Sequence, residues 1–443
     1  MAGTSDDIME FINENDVKFI RLQFCDIFGR LKNIAIMPSQ LERAFNYGIG
    51  FDASSISGFL NIEESDLFLI PEPSTISVLP WRPQQGRVVR FYCNIYRPNG
   101  DPFEGDSRIL LERAEKELYK YGFTCKIGAE CEFYLFNTDE IGHPTTTPHD
   151  KAGYFDVAPL DKGENVRREI CLTLEEMGIT PESSHHESGP GQHEVDFMHD
   201  RPLLSADNLI TFKSVVQTIS ARAGLHATFM PKPMIDNSGS GLHINMSLFR
   251  GEENLFCADG GKHSEEAESF IAGILDHVAE MTAVLNPLVN SYKRIGEFEA
   301  PRFITWSHCN RSPLIRIPAA SGNTSRMELR SPDPACNHYM AFALLIHAGL
   351  DGIKRKLPLK HSDDINLFTA PEEVLKNIPC LPLEFETALD LFENSSFCKG
   401  ILGDLVFNKY LAAKRKECAD YYASKRDNHK ITEFEMSRYF EQC

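Results

Sequence analysis

The feature that most restricts how this chain can fold is acid set inside apolar strands. In Lys126-Ile-Gly-Ala-Glu130-Cys-Glu132-Phe-Tyr-Leu-Phe136, two carboxylates stand two residues apart in a run otherwise suited to a core. Successive side chains of a strand point to opposite faces, so Glu130 and Glu132 share one. A solvated sheet face gives the same pattern once, but here it recurs. His243, Asn245 and Ser247 share a face of Gly241–Phe249, and Arg326, Glu328 and Arg330 share a face of a short strand. Ionisable groups at sheet positions are costly to bury unless they bind ions or one another.

A polar segment supplies more acid. In Ser183-Ser-His185-His186-Glu187-Ser-Gly-Pro-Gly-Gln192-His193-Glu194, two glutamates seven apart flank a Gly-Pro-Gly turn. The chain can fold back there and aim both into one cavity; the bland alternative is a polar loop. Glu130, Glu132, Glu187, Glu194, His243 and Glu328 together could hold two divalent ions. Oxygen ligands in this number suit Mg²⁺ or Mn²⁺ better than zinc. His243 follows Gly239-Ser-Gly241, where a backbone can approach a ligand closely.

A third group is basic. Arg294, Arg302, Arg311, Arg316, Arg326 and Arg330 fall within 37 residues, alongside Pro301, Pro313 and Pro318. Arginine forks bind phosphate or carboxylate through paired donors. Metal-binding acids beside such forks point to phosphoryl transfer from a nucleotide. No Gly-x-x-x-x-Gly-Lys-Ser/Thr loop is present, which excludes a P-loop enzyme. The rival reading is a structural domain laced with surface ion pairs.

The remaining chain frames these groups. With 45 Lys and Arg against 64 Asp and Glu, the net charge of −19 makes nucleic acid or an anionic membrane a poor partner. Apolar stretches are short and broken by charge, so no spanning helix is expected, and the acidic start lacks a secretory plan. Twelve cysteines without a Cys-x-x-Cys pair argue against structural zinc and a disulfide framework; reduced thiols in a cytoplasmic protein are expected. The first hundred residues promise strands after a short opening helix. Val17–Ile27 turns through Phe28-Gly29-Arg30 into a partner strand, and a proline-rich region (Pro71, Pro73, Pro80, Pro83) precedes a further strand. Turn residues crowd Arg97–Asp106, placing a boundary between domains 1–105 and 106–443. Beyond it, helical spacing marks Ser107–Tyr121, Asn165–Met177, Asp207–Ala223, Ser264–Val284 and Cys336–Lys354, interleaved irregularly with short strands. That mixture predicts an α+β fold, with a peripheral helical bundle after Arg355.

Taken in order, FDASSISGF with NIEESD, GAECEFYLF, GYFDVAP, SHHESGPGQHEVDF, HATFMPKP, SGSGLH, NPLVNSYKR, FEAP, NRSPLIRIP and RMELRSPDP resemble glutamine synthetase of the prokaryotic type I class over essentially the whole length. The resemblance implies a small β-grasp N-terminal domain, an α+β catalytic domain, and a dodecamer of two hexameric rings with sites between subunits. It implies ATP as co-substrate, glutamate and ammonium as substrates, and two Mg²⁺ or Mn²⁺ ions per site. Glu130, His243 and Glu328 would hold one ion, and Glu132, Glu187 and Glu194 the other. Arg294, Arg330 and Gly239 would bind glutamate, and Arg311 would steady the transferred phosphoryl group. Glu182, Arg316 and Arg326 would contact nucleotide. Glu299 would lie on a closing flap, and Asp52 would come from a neighbouring subunit. With Ser55, Tyr154 and Glu187, these two acids would form the ammonium pocket. Arg302 matches no family role.

The chain departs from the family pattern in several places. Its flap, Lys293-Arg-Ile-Gly-Glu-Phe-Glu299-Ala-Pro301, is one residue short and lacks the usual Pro-Gly corner. Ser238, Cys131 and Ala53 replace a usual Asn, Pro and Gly; Asn61 stands where a feedback-inhibited branch has Arg. Phe368 stands where another branch carries a modifiable Tyr, so that modification is not expected. Glutamate–ammonia ligation through a γ-glutamyl phosphate is the leading expectation. A γ-glutamyl ligase taking a primary amine, and a catalytically weak nitrogen-sensing relative, are the alternatives.

Overall fold

The computed structural model describes residues 5–82, 85–257, 263–424, 427 and 429–443, apart from the Glu63 side chain. Pro83 of the proline-rich region, and Lys425 and Arg426 near the end of the bundle, lie outside the described residues. An opening helix, Ser5–Glu14, leads into a six-stranded sheet. The predicted hairpin forms from Val17–Cys25 and Leu31–Ile36, paired antiparallel, with Gly29 supplying a left-handed turn at φ 79°. Val17–Cys25 also runs parallel to Arg87–Tyr96, whose far end pairs with Asp66–Pro71; Ile49–Asp52 closes the edge. This is a β-grasp sheet.

Asp106 leads the chain out of this sheet. Its carboxylate caps the helix Ser107–Lys120 through the amides of Arg108 and Ile109, and also accepts from the Ile95 amide of the sheet strand. Burial pushes this acid up to about 6, against the pull of those donors. Behind it, Arg108 pairs with Asp207 at 2.9 Å, and the Tyr339 hydroxyl donates to the same carboxylate at 2.7 Å. Arg108 also donates to Asn94, so one buried ion pair ties the N-terminal sheet to two long helices.

Those helices differ in detail from the predicted spans. Proline at the first helical position starts Pro202–Arg222 five residues before the expected Asp207. Asn337 caps His338–Arg355 and so excludes Cys336. Ser264 caps Glu265–Leu285 as expected. This last helix lies so close to His338–Arg355 that a Cβ at Gly352 would come 2.0 Å from the Ser269 carbonyl oxygen; only glycine fits.

The second sheet has ten strands. Its axis is the fifteen-residue strand Thr124–Thr138, flanked by Leu242–Arg250 on one side and by the hairpin Gln192–Phe197 and Pro181–His186 on the other. The polar Ser183–Glu194 segment is therefore mostly strand. Trp306–His308, Ile315–Ile317 and Met327–Leu329 extend the sheet as short strands of three residues each. Alternation along Thr124–Thr138 separates two environments. Ala129, Cys131 and Phe133 are buried in the core, where the Phe133 ring meets Phe212 and Phe229. Glu130 and Glu132 take the other face. After Arg355, Phe385–Glu393 and Ser396–Ala423 form the peripheral bundle, the latter kinked at Gly403. No helix among the described residues is long and apolar enough to cross a membrane.

Candidate active site

Strand register assembles the site. His243 lies opposite Glu130, Asn245 opposite Glu328, and Glu328 opposite Arg316. On the other flank, Glu194 lies opposite both Glu132 and His185. Directly opposed residues share a face, so acids far apart in sequence collect on one side of the sheet.

Two tight groups result. The ligand atoms of Glu130, His243 and Glu328 lie within 4.8 Å of one another, as do those of His185, Glu187 and Glu194. In the first, His243 Nδ1 is 3.2 Å from Glu130 and 3.7 Å from Glu328, while Asn245 donates to Glu130 at 2.9 Å. Burial would raise Glu130, but the hydrogen bond and charge of His243, with Asn245 and Arg326, hold it down to about 2. In the second, His185 approaches Glu187 at 2.9 Å, and Ser188 donates its amide to the same carboxylate. Glu132 is not in the tight second group; it adjoins it, accepting from the Gly241 amide at 2.8 Å and from Gln192 at 3.0 Å.

This second acid set is short of positive charge. Burial, then the charges of Asp196, Glu132 and Glu130, push Glu194 well above the usual carboxylate range. Burial, opposed by His243 but aided by Glu187, raises Glu132 to about 7. Carboxylates that drive one another toward protonation are matched by a divalent cation, and their oxygen-rich composition with one imidazole per group suits Mg²⁺ or Mn²⁺.

Arginines face the acids. Arg316 bonds Glu328 at 2.8 Å, and Arg330 stands 3.7 Å from it; the Nε of each is buried without a hydrogen-bond partner. Such orphan donors fit an incoming phosphate or carboxylate. Arg294 is more committed, donating to the backbone carbonyls of Ser331, Pro332 and Arg330. Burial lowers its pKa. Arg326 donates to Asn245 at 2.9 Å. Arg311 is lowered by burial but raised more by Tyr154, Glu328 and Glu299, groups from three separate segments, so its pKa is raised. Glu182 is exposed at the outer edge, near His199, which Arg326 also approaches.

A narrow pocket of about 30 Å³ lies among Glu132, Glu187, Gly239, Arg294, Glu299 and Arg330. Its roof is the flap. Lacking the Pro-Gly corner, this loop turns through Gly296 at φ 80° and Phe298 at φ 53°, closed by the Gly296 amide on the Ala300 carbonyl at 3.1 Å. Glu297 and Phe298 line the pocket with Glu299. Asp52 and Ser55 do not line it; Asp52 is exposed and accepts from the Ser54 amide and hydroxyl. Sequence reasoning missed His185 and Gln192 as neighbours of the acids, and Glu297 and Phe298 as pocket walls. Alternation from Glu194 across the hairpin was the one signal that could have found His185.

The comparisons with known proteins agree with this geometry. Residues 16–98 match the family described as glutamine synthetase, beta-Grasp domain, and residues 104–439 match glutamine synthetase, catalytic domain. A glutamine synthetase of Clostridium saccharobutylicum is 48% identical over 441 residues, 98% of each chain. One of Methanosarcina mazei is 48% identical, covering 98% of this chain and 97% of its own. One of Staphylococcus aureus is 46% identical, covering 99% and 98%. A solved structure described as a GmaS/ADP complex superposes with a TM-score of 0.86 at 30% identity, covering 97% of this chain and 98% of that one.

Proposed function

This chain belongs to the glutamine synthetase family, and from that premise we propose how its residues divide the work of joining ammonia to glutamate at the expense of ATP. It is a glutamate–ammonia ligase, and the identity of its full-length relatives does not favour a primary amine in place of ammonia. The observation that carries the assignment of roles is the juxtaposition across one sheet face of two acid groups and arginines with orphan Nε donors.

Glutamate enters beneath the flap, with Arg330 and Arg294 holding its backbone end beside Gly239. Its side-chain carboxylate attacks the γ-phosphorus of ATP, ADP leaves, and a γ-glutamyl phosphate forms. Arg311 steadies the moving phosphoryl group, and Arg316, Arg326 and Glu182 contact the nucleotide; a structural relative described as an ADP complex supports a nucleotide as co-substrate. Two Mg²⁺ or Mn²⁺ ions, held by Glu130, His243 and Glu328 and by Glu132, Glu187 and Glu194, would neutralise phosphate oxygens when bound. His185 joins the second set. Ammonium is drawn among Glu187, Glu299, Tyr154 and a neighbour's Asp52 and Ser55, and an acid takes its proton. Ammonia then attacks the acyl carbon; a C–N bond forms, the C–O bond to phosphate breaks, and phosphate leaves. A closed flap excludes the water that would hydrolyse the intermediate.

We place the working enzyme in the cytoplasm, with a domain division after residue 105, as two stacked hexamers. The absence of Asp52 and Ser55 from the lining of this chain's own pocket supports a composite site. So do exposed apolar side chains such as Tyr47 and Ile62, at 77% and 83%, on the same N-terminal unit as Asp52. The test pairs two dead ends. Glu328→Ala and Asp52→Ala oligomers should each lose most activity at low ammonium, while co-expressed mixed oligomers regain part of it by pairing an intact Asp52 with an intact Glu328. Phosphate release unchanged in Glu328→Ala would remove the metal and arginine assignment; mixed oligomers no better than the parents would remove the shared site.

A further inference from the structure

The flap carries two acids, and one of them stands where the usual Pro-Gly corner would turn. Shortening brings Glu297 to the tip, two residues before Glu299, and both line the substrate pocket. They face different ends of it. Arg311, at the phosphoryl end, feels the charge of Glu299. Lys232, on the opposite side, feels the charges of Glu297 and Arg294. Glu297, and not Glu299, also lines the cavity on the Lys232 side of the flap. The Glu297 amide donates to the Arg294 carbonyl at 3.0 Å, so a single turn carries this acid and an arginine assigned to the backbone end of glutamate.

The other acceptors at that end are engaged. Glu132 accepts from Gln192 and the Gly241 amide, and Glu187 is met by His185 and the Ser188 amide. The Ser238 carbonyl accepts from the Tyr134 hydroxyl at 2.6 Å, and the Gly239 carbonyl from Gln192 at 3.2 Å. Ser238, itself in place of a usual Asn, lines the pocket with a shorter side chain and no amide. Among the described residues the Glu297 carboxylate makes no hydrogen bond or ion pair. Lys232 does not claim it; its ammonium donates to the Asn237 carbonyl and sits 4.2 Å above the Phe298 ring, steadying the tip from behind.

We propose that Glu297 is a specificity-determining residue that receives the α-ammonium of glutamate, so that the flap itself selects an amino dicarboxylate over a plain one. The α-ammonium and α-carboxylate of the substrate share one carbon, and an acid and an arginine in one turn match that pair. Glu299 and Glu187 are left to the incoming ammonium at the other end. The acid gained at position 297 makes up for the amide lost at Ser238, since both departures meet the same end of the substrate. A site that hydrogen-bonds a substrate N–H rejects an analogue lacking it. Glu297 is exposed, so its contact is weaker than that of a buried charge pair.

The orientation of glutamate rests on the ligase reading, so binding and turnover are read separately. Titration calorimetry of the intact Mg²⁺-supplied protein compares L-glutamate with glutarate, which has both carboxylates and no amino group, in wild type, Glu297→Gln and Glu297→Asp. Glu297→Gln should weaken glutamate about fivefold, as for a solvent-screened charge-assisted contact, and leave glutarate unchanged or tighter. Glu297→Asp, which keeps the charge, should recover part of the loss. In turnover, the glutamate KM of Glu297→Gln should rise by the same factor, while kcat and the KM values for ammonium and ATP change less than about twofold, as for a contact made equally before and during the reaction. Glutamate affinity unchanged in Glu297→Gln, glutamate and glutarate weakened alike, or a rise in the ammonium KM instead overturns the proposal. A wild type that binds glutamate but forms no glutamine would remove the ligase reading, and the calorimetric contrast would still decide the role of Glu297.

Discussion

Replacing Glu194 by Gln should stabilise the metal-free protein while weakening its hold on metal. The ligand atoms of Glu187 and Glu194 lie within 4.8 Å of each other, and both side chains are buried. Two unit charges at that distance repel by about 3.5 kcal/mol at an effective dielectric constant of about 20. His185, 2.9 Å from Glu187, offsets part of this, and protonation of Glu194 offsets more, leaving about 1–3 kcal/mol to be recovered. The pH sense follows from the raised pKa of Glu194. An acid raised in the folded state subtracts nothing below its unfolded value, about 4.3, and subtracts progressively more until pH passes the folded value. The advantage of Glu194→Gln over wild type should therefore widen as pH rises from 5 toward 8. At about 2 °C per kcal/mol, the lower end for large chains, it amounts to about 2–6 °C in the melting midpoint. Mg²⁺ should reverse the order, since free ligand at 100 times its dissociation constant adds about 2.7 kcal/mol to the form that binds it. Differential scanning fluorimetry across pH, with chelator and with Mg²⁺, reads both effects. A Glu194→Gln protein that melts lower than wild type in chelator at pH 8, or that gains as much from Mg²⁺, would refute the idea that these acids are held against their own repulsion for a cation.

Two further predictions concern stability away from the site. Asp207→Ala strands the buried Arg108 guanidinium and the Tyr339 hydroxyl, and should cost about 3–5 kcal/mol in denaturant unfolding; a loss under about 1 kcal/mol would contradict the role given to that ion pair. His277 is lowered by burial but raised more by hydrogen bonds to Glu280 and Asp351, so its net pKa is raised. Its contribution is fully present below the ordinary histidine value of about 6.5 and lost as pH climbs through the folded value. The melting midpoint of His277→Asn should thus fall less than that of wild type between pH 6 and 9, and an identical pH slope would remove histidine charge as the cause.

Much of the architecture was legible because it rests on local rules. Alternation placed Glu130 and Glu132 on one face, a left-handed glycine turned the first hairpin, and Ser264 announced its helix. What escaped depends on partners distant in the chain. His185 lies in Pro181–His186, a strand without apolar alternation, and it becomes a neighbour of Glu194 only through pairing across the hairpin. The committed donors of Arg294 depend on carbonyls of residues 330–332, more than thirty positions away. The short strands near residues 306–329 are set by the sheet edge they join rather than by their own propensity. The ring contact of Tyr292 with Phe385 likewise needs two segments far apart in the chain to meet.

The strand Thr124–Thr138 carries reactive acids on one side and tightly packed rings on the other, with no layer between. Enlarging or emptying the space around Phe133, Phe212 and Phe229 would therefore alter the spacing of Glu130 and Glu132 without touching either. Inactivating lesions in this enzyme should accordingly turn up among greasy residues that never meet a substrate. Tuning of metal preference is open to changes made entirely from behind.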